Sequence, residues 1–104
     1  MINAEFLWNK EHRLTGFRII GHAGYADKGF DIVCSAVSVL TINTVNSIGR
    51  LTDDYYTFDK NENEGFMLFE VKELSDSSEI LLRSMRIGLE SIAEEYGNEF
   101  ISIK

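Results

Sequence analysis

Residues 31–50 read "DIVCSAVSVLTINTVNSIGR" and form the longest apolar run in the chain. Within this run Val33, Val37, Leu40 and Ile48 recur at the spacing of one helix face. Its β-branched residues also suit a strand, but a run of this length favours a helix. The segment therefore predicts a helix that packs in the core of the fold.

The ends of this run carry helix signals. Asp31 is predicted as the N-cap, because its carboxylate can accept hydrogen bonds from the otherwise unpaired amides of the first turn. Gly49, near the other end, indicates that the helix stops at about Arg50. Further apolar positions predict that the helix is mostly buried: Ile32, Ala36, Val39 and Val45.

Two strands are predicted upstream of the helix. Residues 2–8 alternate between apolar and polar, with Ile2, Ala4, Phe6 and Trp8 on one side. After the polar turn at 9–12, residues 13–20 form a second strand with Phe17 and Ile19 on one face. So short a connection predicts an antiparallel hairpin.

A second strand pair and a second helix follow. Residues 54–59 and 65–71 are strands around the polar turn at 60–64. Asp76 with Glu79 forms a capping-box pattern, which opens a helix that Gly97 ends. The apolar stripe of that helix is Leu81, Met85, Leu89, Ile92 and Tyr96.

Residues 100–103 are predicted as a last strand that closes the sheet. The predicted order is β-β-α-β-β-α-β, an α+β fold in which two helices cover a largely antiparallel sheet. At 104 residues without a linker-like stretch, the chain is predicted as a single domain, residues 1–104.

Composition narrows the function classes. Seventeen acidic against ten basic side chains give a formal charge of −7. This charge disfavours direct nucleic-acid binding, and it either favours basic partners or only keeps a small protein soluble. No stretch reaches the eighteen or so uninterrupted apolar residues of a membrane span, and the N-terminus lacks a signal-peptide pattern. One cysteine agrees with a reducing compartment, so a cytoplasmic protein is predicted.

Cys34, the one cysteine, is a candidate catalytic nucleophile. With Asp31 as the N-cap, its thiol lies in the first helical turn, where the helix dipole favours a thiolate. His22, at the end of the second strand, can act as its base, and amides at Cys34 or Ser35 can hold an oxyanion. The glycines between the pair permit a flap over the site, or only make turns.

Two other interpretations of these residues stay open. A lone cysteine on an apolar helix is often a packing residue. His22 and Cys34 with Asp27 or Asp31 can also ligate a metal, but the spacing matches no established zinc pattern. No metal and no cofactor is predicted.

The string from "GHA" at 21–23 to "DIVCSAVS" at 31–38 resembles the ribosomal-processing cysteine protease family, Prp. The initial strand pair, "TVNSI" at 44–48 and the "EEY" that ends the second helix are also similar. The resemblance implies that His22 and Cys34 are a catalytic dyad. It also implies a homodimer that removes the N-terminal extension of a large-subunit ribosomal protein by cutting after a short, aromatic-ended apolar segment. Some members have "CAG" where this chain has Cys34, Ser35 and Ala36.

Other residues are assigned to the same site. Asp31 can orient His22 or cap the helix, and Ser38, one turn after Cys34, can support the site or bond back to its own helix. The substrate-binding candidates are Gly21, Tyr25, Phe30 and Ser35, with Tyr55 and Tyr56 as further aromatic candidates for an apolar groove.

The predicted function is therefore that of a cysteine endopeptidase acting on a basic ribosomal protein precursor, which its acidic surface attracts. The alternative is a non-enzymatic acidic dimer that binds the basic ribosomal protein during ribosome assembly. That alternative needs the charge but no reactive thiol.

Overall fold

A computed structural model describes residues 1–21 and 28–104, with the backbone alone for residues 28–31. Over these residues the chain forms five strands and two helices in the predicted order. The elements are β1 (Ile2–Trp8), β2 (Leu14–Ile20), α1 (Lys28–Leu51), β3 (Tyr56–Asn61), β4 (Phe66–Val71), α2 (Asp76–Tyr96) and β5 (Ile101–Ile103).

The five strands form one sheet in the order β3-β4-β2-β1-β5. The β1–β2, β2–β4 and β3–β4 pairs are antiparallel, and β5 joins the far edge parallel to β1. This confirms the predicted α+β fold with its largely antiparallel sheet.

The alternation in β1 sets which face of the sheet is covered. Ile2, Ala4 and Phe6 are buried between the sheet and the helices, and the residues between them are exposed or half-buried. Ala4 and Phe6 pair with Ile19 and Phe17 of β2, which are buried on the same face of the sheet. The aromatic centre of the core is the stacked pair of Phe17 and Phe69, with ring centroids 5.5 Å apart.

Helix α1 begins at Lys28, so the predicted N-cap at Asp31 is wrong. Asp31 lies within the first turn of the helix rather than before it. The helical spacing itself is confirmed, because Val33, Val37 and Ile48 are buried against the sheet. The observed helix start differs from the predicted one because a good capping residue can also lie inside the first turn. A capping residue type therefore does not fix where a helix begins.

The prediction that α1 is mostly buried is also wrong. Ile32 and Val39 are 51% and 71% exposed, on the side of the helix away from the sheet. Within the described ranges, Ile32–Leu51 is the one helical segment long and apolar enough to cross a membrane by length and composition. A core helix meets the same criterion, and here one side of α1 fills the core.

Helix α2 is capped by Ser75 and not by the predicted box of Asp76 and Glu79. The Ser75 hydroxyl accepts a hydrogen bond from the Ser78 amide, and it is held by the Asp54 carboxylate at 2.6 Å. Bonding to Ser75 lowers the pKa of Asp54 below its usual value. At the other end Gly97, with φ +108°, stops the helix as predicted.

The Glu79 carboxylate instead joins α2 to β2. It accepts the Leu14 amide at 2.9 Å and the Arg13 side chain at 2.9 Å, and its side chain is only 14% exposed. These bonds, first of all that from the Leu14 amide, lower the pKa of Glu79.

Two arginines of α2 cover the end of β1. Arg83 and Arg86 place their guanidinium carbons 5.6 Å and 5.5 Å from the centre of the Trp8 ring. Arg86 also lies 5.1 Å from the centre of the Phe6 ring. These cation–π contacts join α2 to β1 at the end of that strand where Trp8 lies.

Acid should weaken the fold through Glu79. Because its folded-state pKa is lowered, ionised Glu79 stabilises the protein above the unfolded pKa of about 4.3, and this contribution disappears as the pH falls through the lower folded value. We expect Glu79→Ala to lower the free energy of unfolding at pH 7 by about 1–3 kcal/mol, since the Leu14 amide loses its acceptor.

The measurement is urea unfolding at pH 7 and at several values below pH 5. The variant should lose less stability on acidification than the parent protein. Exposed Glu73 provides the matched control, and equal acid sensitivity in Glu79→Ala and Glu73→Ala would contradict the assignment.

Candidate active site

A cleft of about 290 Å³ opens between the N-terminal half of α1 and one end of the sheet. That end is where β2 stops, where β4 starts and where the turn from β3 to β4 lies. The described residues that line the cleft are Ile2, Ile19, Gly21, Cys34, Val37, Ser38, Lys60, Asn61, Glu62, Gly65, Phe66 and Met67.

Cys34 lies in the wall that α1 contributes. Its side chain is half-buried and packs against the hydrophobic core on one side. Val37 and Ser38, three and four residues further, share its helix face and line the same cleft. The thiol is thus placed beside a space that can hold part of another molecule.

The start of α1 at Lys28 places Cys34 further into the helix than predicted. Cys34 is the seventh residue of the helix, so its amide and that of Ser35 come after the first four, which are those a helix leaves unpaired. The prediction that Cys34 lies in the first turn is wrong. The helix-dipole effect is strongest within that turn, so it acts on Cys34 less than predicted.

Gly21 closes the cleft from the sheet side. Its φ is +126°, and a Cβ built there would lie 2.2 Å from the Met1 carbonyl oxygen. Its amide donates to the Gly65 carbonyl at 3.1 Å, which ties the end of β2 to the β3–β4 turn. Gly21 therefore fixes the direction in which the chain leaves β2 just before His22.

Some predicted residues are not brought to this cleft. Ser35 faces a separate apolar groove between α1 and α2. Tyr55 is 74% exposed and does not line the cleft, while Tyr56 packs on Phe69 with ring centroids 5.1 Å apart. Among the described residues that line the cleft, the aromatic one is Phe66, at the start of β4.

Other predicted residues lie outside the part of the chain that the structure describes. These are His22, Tyr25 and Asp27, together with the side chains of Phe30 and Asp31. The pairing of His22 with Cys34 and the support from Asp31 stay predictions from the sequence.

Sequence reasoning missed the contribution of the end of β3 and of the turn that follows it. Lys60, Asn61 and Glu62 face the cleft, and the Lys60 ammonium lies 2.9 Å from a Glu62 carboxylate oxygen. This ion pair lowers the pKa of Glu62 below its usual value. The polar run at 60–64 was visible in the sequence, but its position opposite Cys34 follows only from the β4–β2 pairing.

Solved structures share this arrangement of sheet and helices over the whole chain. A ribosomal processing protease Prp from Staphylococcus aureus, in complex with a substrate peptide, superimposes with a TM-score of 0.91 at 28% identity, covering 100% of this chain and 98% of that one. The same enzyme with a covalently linked product peptide gives 0.88 at 30% identity, with the same coverage. SMU.848 from Streptococcus mutans gives 0.88 at 32% identity, covering 100% and 92%.

The fold, with a thiol in the wall of its cleft, is that of a cysteine protease. The sequence pattern of the family described as cysteine protease Prp matches residues 1–101. The ribosomal processing cysteine protease Prp of S. aureus is 33% identical over 99% of this chain and 97% of its own length, and that of Bacillus subtilis is 29% identical over 92% and 90%.

The chain belongs to the Prp family of cysteine proteases, as the resemblance predicted. The non-enzymatic alternative loses its basis, since the relatives are proteases and one solved relative holds a covalently linked product peptide.

Proposed function

We propose that this protein is an endopeptidase that uses Cys34 as nucleophile and His22 as general base. Its substrate is the N-terminal extension of a basic large-subunit ribosomal protein precursor, which it removes in the cytoplasm. The observation that carries the proposal is the position of Cys34 in the cleft of a fold whose S. aureus relatives hold substrate and product peptides.

The reaction follows from these two side chains. His22 takes the thiol proton, and the Cys34 sulfur attacks the carbonyl carbon of the scissile peptide bond. When the tetrahedral intermediate collapses, the C–N bond breaks and His22 returns the proton to the leaving amine. Water then hydrolyses the thioester, which releases the extension as a carboxylate and restores the thiol.

The cleft walls support an apolar peptide segment. Ile19, Phe66 and Met67 from the sheet and Val37 from α1 line it, and such surfaces bind apolar side chains by removing them from water. The formal charge of −7 favours the approach of a strongly basic protein.

The direct test incubates the purified protein with the full-length precursor and follows the mass of the product. We expect one cut that shortens the precursor at its N-terminus, and a precursor with a scrambled extension should stay intact. Binding without any change in mass would contradict the proposal.

A homodimer formed through the outer faces of the two helices is part of the proposal. Ile32 and Val39 of α1 and Ile80 and Ile87 of α2 are exposed. An apolar groove between the two helices is lined by Val39, Leu40, Gly88 and Ile92, with Ser35 and Ala36. An apolar area of this kind on an acidic protein favours a contact that removes it from water.

Charge introduced into this face should separate the subunits. Val39→Glu is expected to shift the protein from dimer to monomer in light scattering after size-exclusion chromatography, because a carboxylate would lose its hydration in the interface. Tyr55→Glu changes a side chain that is equally exposed but lies in the α1–β3 connection, so it should leave the dimer intact. A monomeric parent protein, or equal effects of both variants, would contradict the proposed face.

A further inference from the structure

The charge in the cleft is concentrated in one place. Among the described residues that line it, Lys60 and Glu62 are the ones with a full charge at neutral pH, and the sheet residues beside them are mostly apolar. Charged and apolar surfaces select different substrate side chains, so this pair is a natural point of discrimination.

The end of β3 and the turn that follows it carry the pair and are held in a defined shape. The Asn61 side-chain oxygen accepts the amides of residues 63 and 64 at 3.1 Å and 3.3 Å. The Gly65 amide donates to the Glu62 carbonyl at 3.3 Å, and the Gly65 carbonyl accepts the Gly21 amide. Glu62 therefore stands on a backbone that is fixed relative to the end of β2 and needs little ordering when a substrate binds.

Within the pair, Glu62 is the group available to a substrate. Its side chain is 80% exposed, against 39% for Lys60. A carboxylate has about four acceptor positions, so the bond to Lys60 leaves room for a second cation. The surrounding segment, residues 59–64 at the end of β3 and in the following turn, has the sequence DKNENE. It holds three acidic residues and one basic one, so its field attracts cations.

From these observations we infer that Glu62 is a specificity-determining residue, which binds a lysine or arginine side chain of the substrate next to the scissile bond, while Lys60 holds the carboxylate in place. The inference rests on the proposed function, since it concerns the same cleft. Because the bond to Lys60 uses only part of the carboxylate, Glu62 can accept a substrate cation while it stays bound to Lys60.

The experiment compares two sets of peptides that differ only by lysine or glutamine at single positions flanking the cut. For the parent protein, kcat/KM should be higher for the lysine peptide at one position. In Glu62→Gln, kcat/KM for that peptide should fall about three- to fivefold, while the glutamine peptide changes less than twofold. The double variant Lys60→Glu with Glu62→Lys should invert the preference toward a peptide with glutamate at that position.

Glu11→Gln is the matched control. It removes one negative charge from the exposed β1–β2 turn, at the end of β1 that lies away from the cleft. An equal loss in Glu11→Gln would show that net charge alone attracts the substrate and would overturn the inference. So would an equal loss on lysine and glutamine peptides in Glu62→Gln. If the parent protein cleaves no peptide at all, the proposed function itself fails and the inference fails with it.

Discussion

Cys34→Ala is expected to abolish cleavage of the precursor, with kcat/KM reduced about a thousandfold or more, because the attacking atom is removed. The fold should persist. Cys34 is half-buried, and alanine keeps the helix and removes a single sulfur from the cleft wall. The measurement is the initial rate of product formation by mass spectrometry, with circular dichroism to confirm the helix content.

His22→Ala should lose activity almost as completely, because the proposed mechanism assigns the removal of the thiol proton to His22. A matched control is Asn43→Ala, which changes an exposed residue of α1 beyond the cleft and should leave kcat/KM unchanged. Residual turnover of Cys34→Ala above a few per cent, with no contaminating protease, would reject Cys34 as the nucleophile. Turnover retained by His22→Ala would reject the dyad.

Gly21→Ala should produce the second large effect, a loss of about a hundredfold in kcat/KM. A φ of +126° is strained for alanine, and the new methyl group would lie 2.2 Å from the Met1 carbonyl oxygen. Relief of this contact must move the end of β2 and, with it, the start of the segment that carries His22. A displacement of about 1 Å in a catalytic group is enough for a loss of this size.

Gly97→Ala separates strain from function. Gly97 also has positive φ, +108°, but its added Cβ would meet only the Glu99 side chain, at 3.4 Å, at the end of α2. Both variants should be less stable in thermal unfolding, and only Gly21→Ala should lose activity out of proportion to its folded fraction. Activity of Gly21→Ala within twofold of the parent would contradict the role given to this residue.

The sequence predicted the element order because its periodicities are long and distinct. The alternation in residues 2–8 and the stripe through Met85 and Leu89 each allow one secondary structure. Which strands become neighbours is a different matter. The β4–β2 pairing and the parallel addition of β5 to β1 depend on contacts between distant segments, and periodicity within a segment carries no information on them.

The helix starts were harder to predict for a physical reason. Asp31, Asp76 and Ser75 are all good capping residues, and tertiary contacts decide among them. At α2, Glu79 bonds to the Leu14 amide rather than to its own helix start, and Ser75 is held by Asp54. Neither Leu14 nor Asp54 is near α2 in the sequence.

The site was predicted in part for a similar reason. Cys34 and Gly21 were found from residue type and motif, and both line the cleft. The opposite wall, formed by Lys60, Glu62 and Phe66, becomes visible only when β4 is paired with β2. Ser35 was assigned to the site because it is next to Cys34 in the sequence, but neighbouring helix residues point about 100° apart, and Ser35 faces the other groove.

The cation–π contacts at Trp8 give this protein an internal optical probe. Trp8 is the one tryptophan in the chain, and it lies about 20 Å along β1 from Ile2, which borders the cleft. Its fluorescence should therefore change when α2 separates from the sheet and should change little when a peptide enters the cleft. Unfolding can then be measured without interference from peptide binding, and no dye has to be attached to the one thiol of the chain.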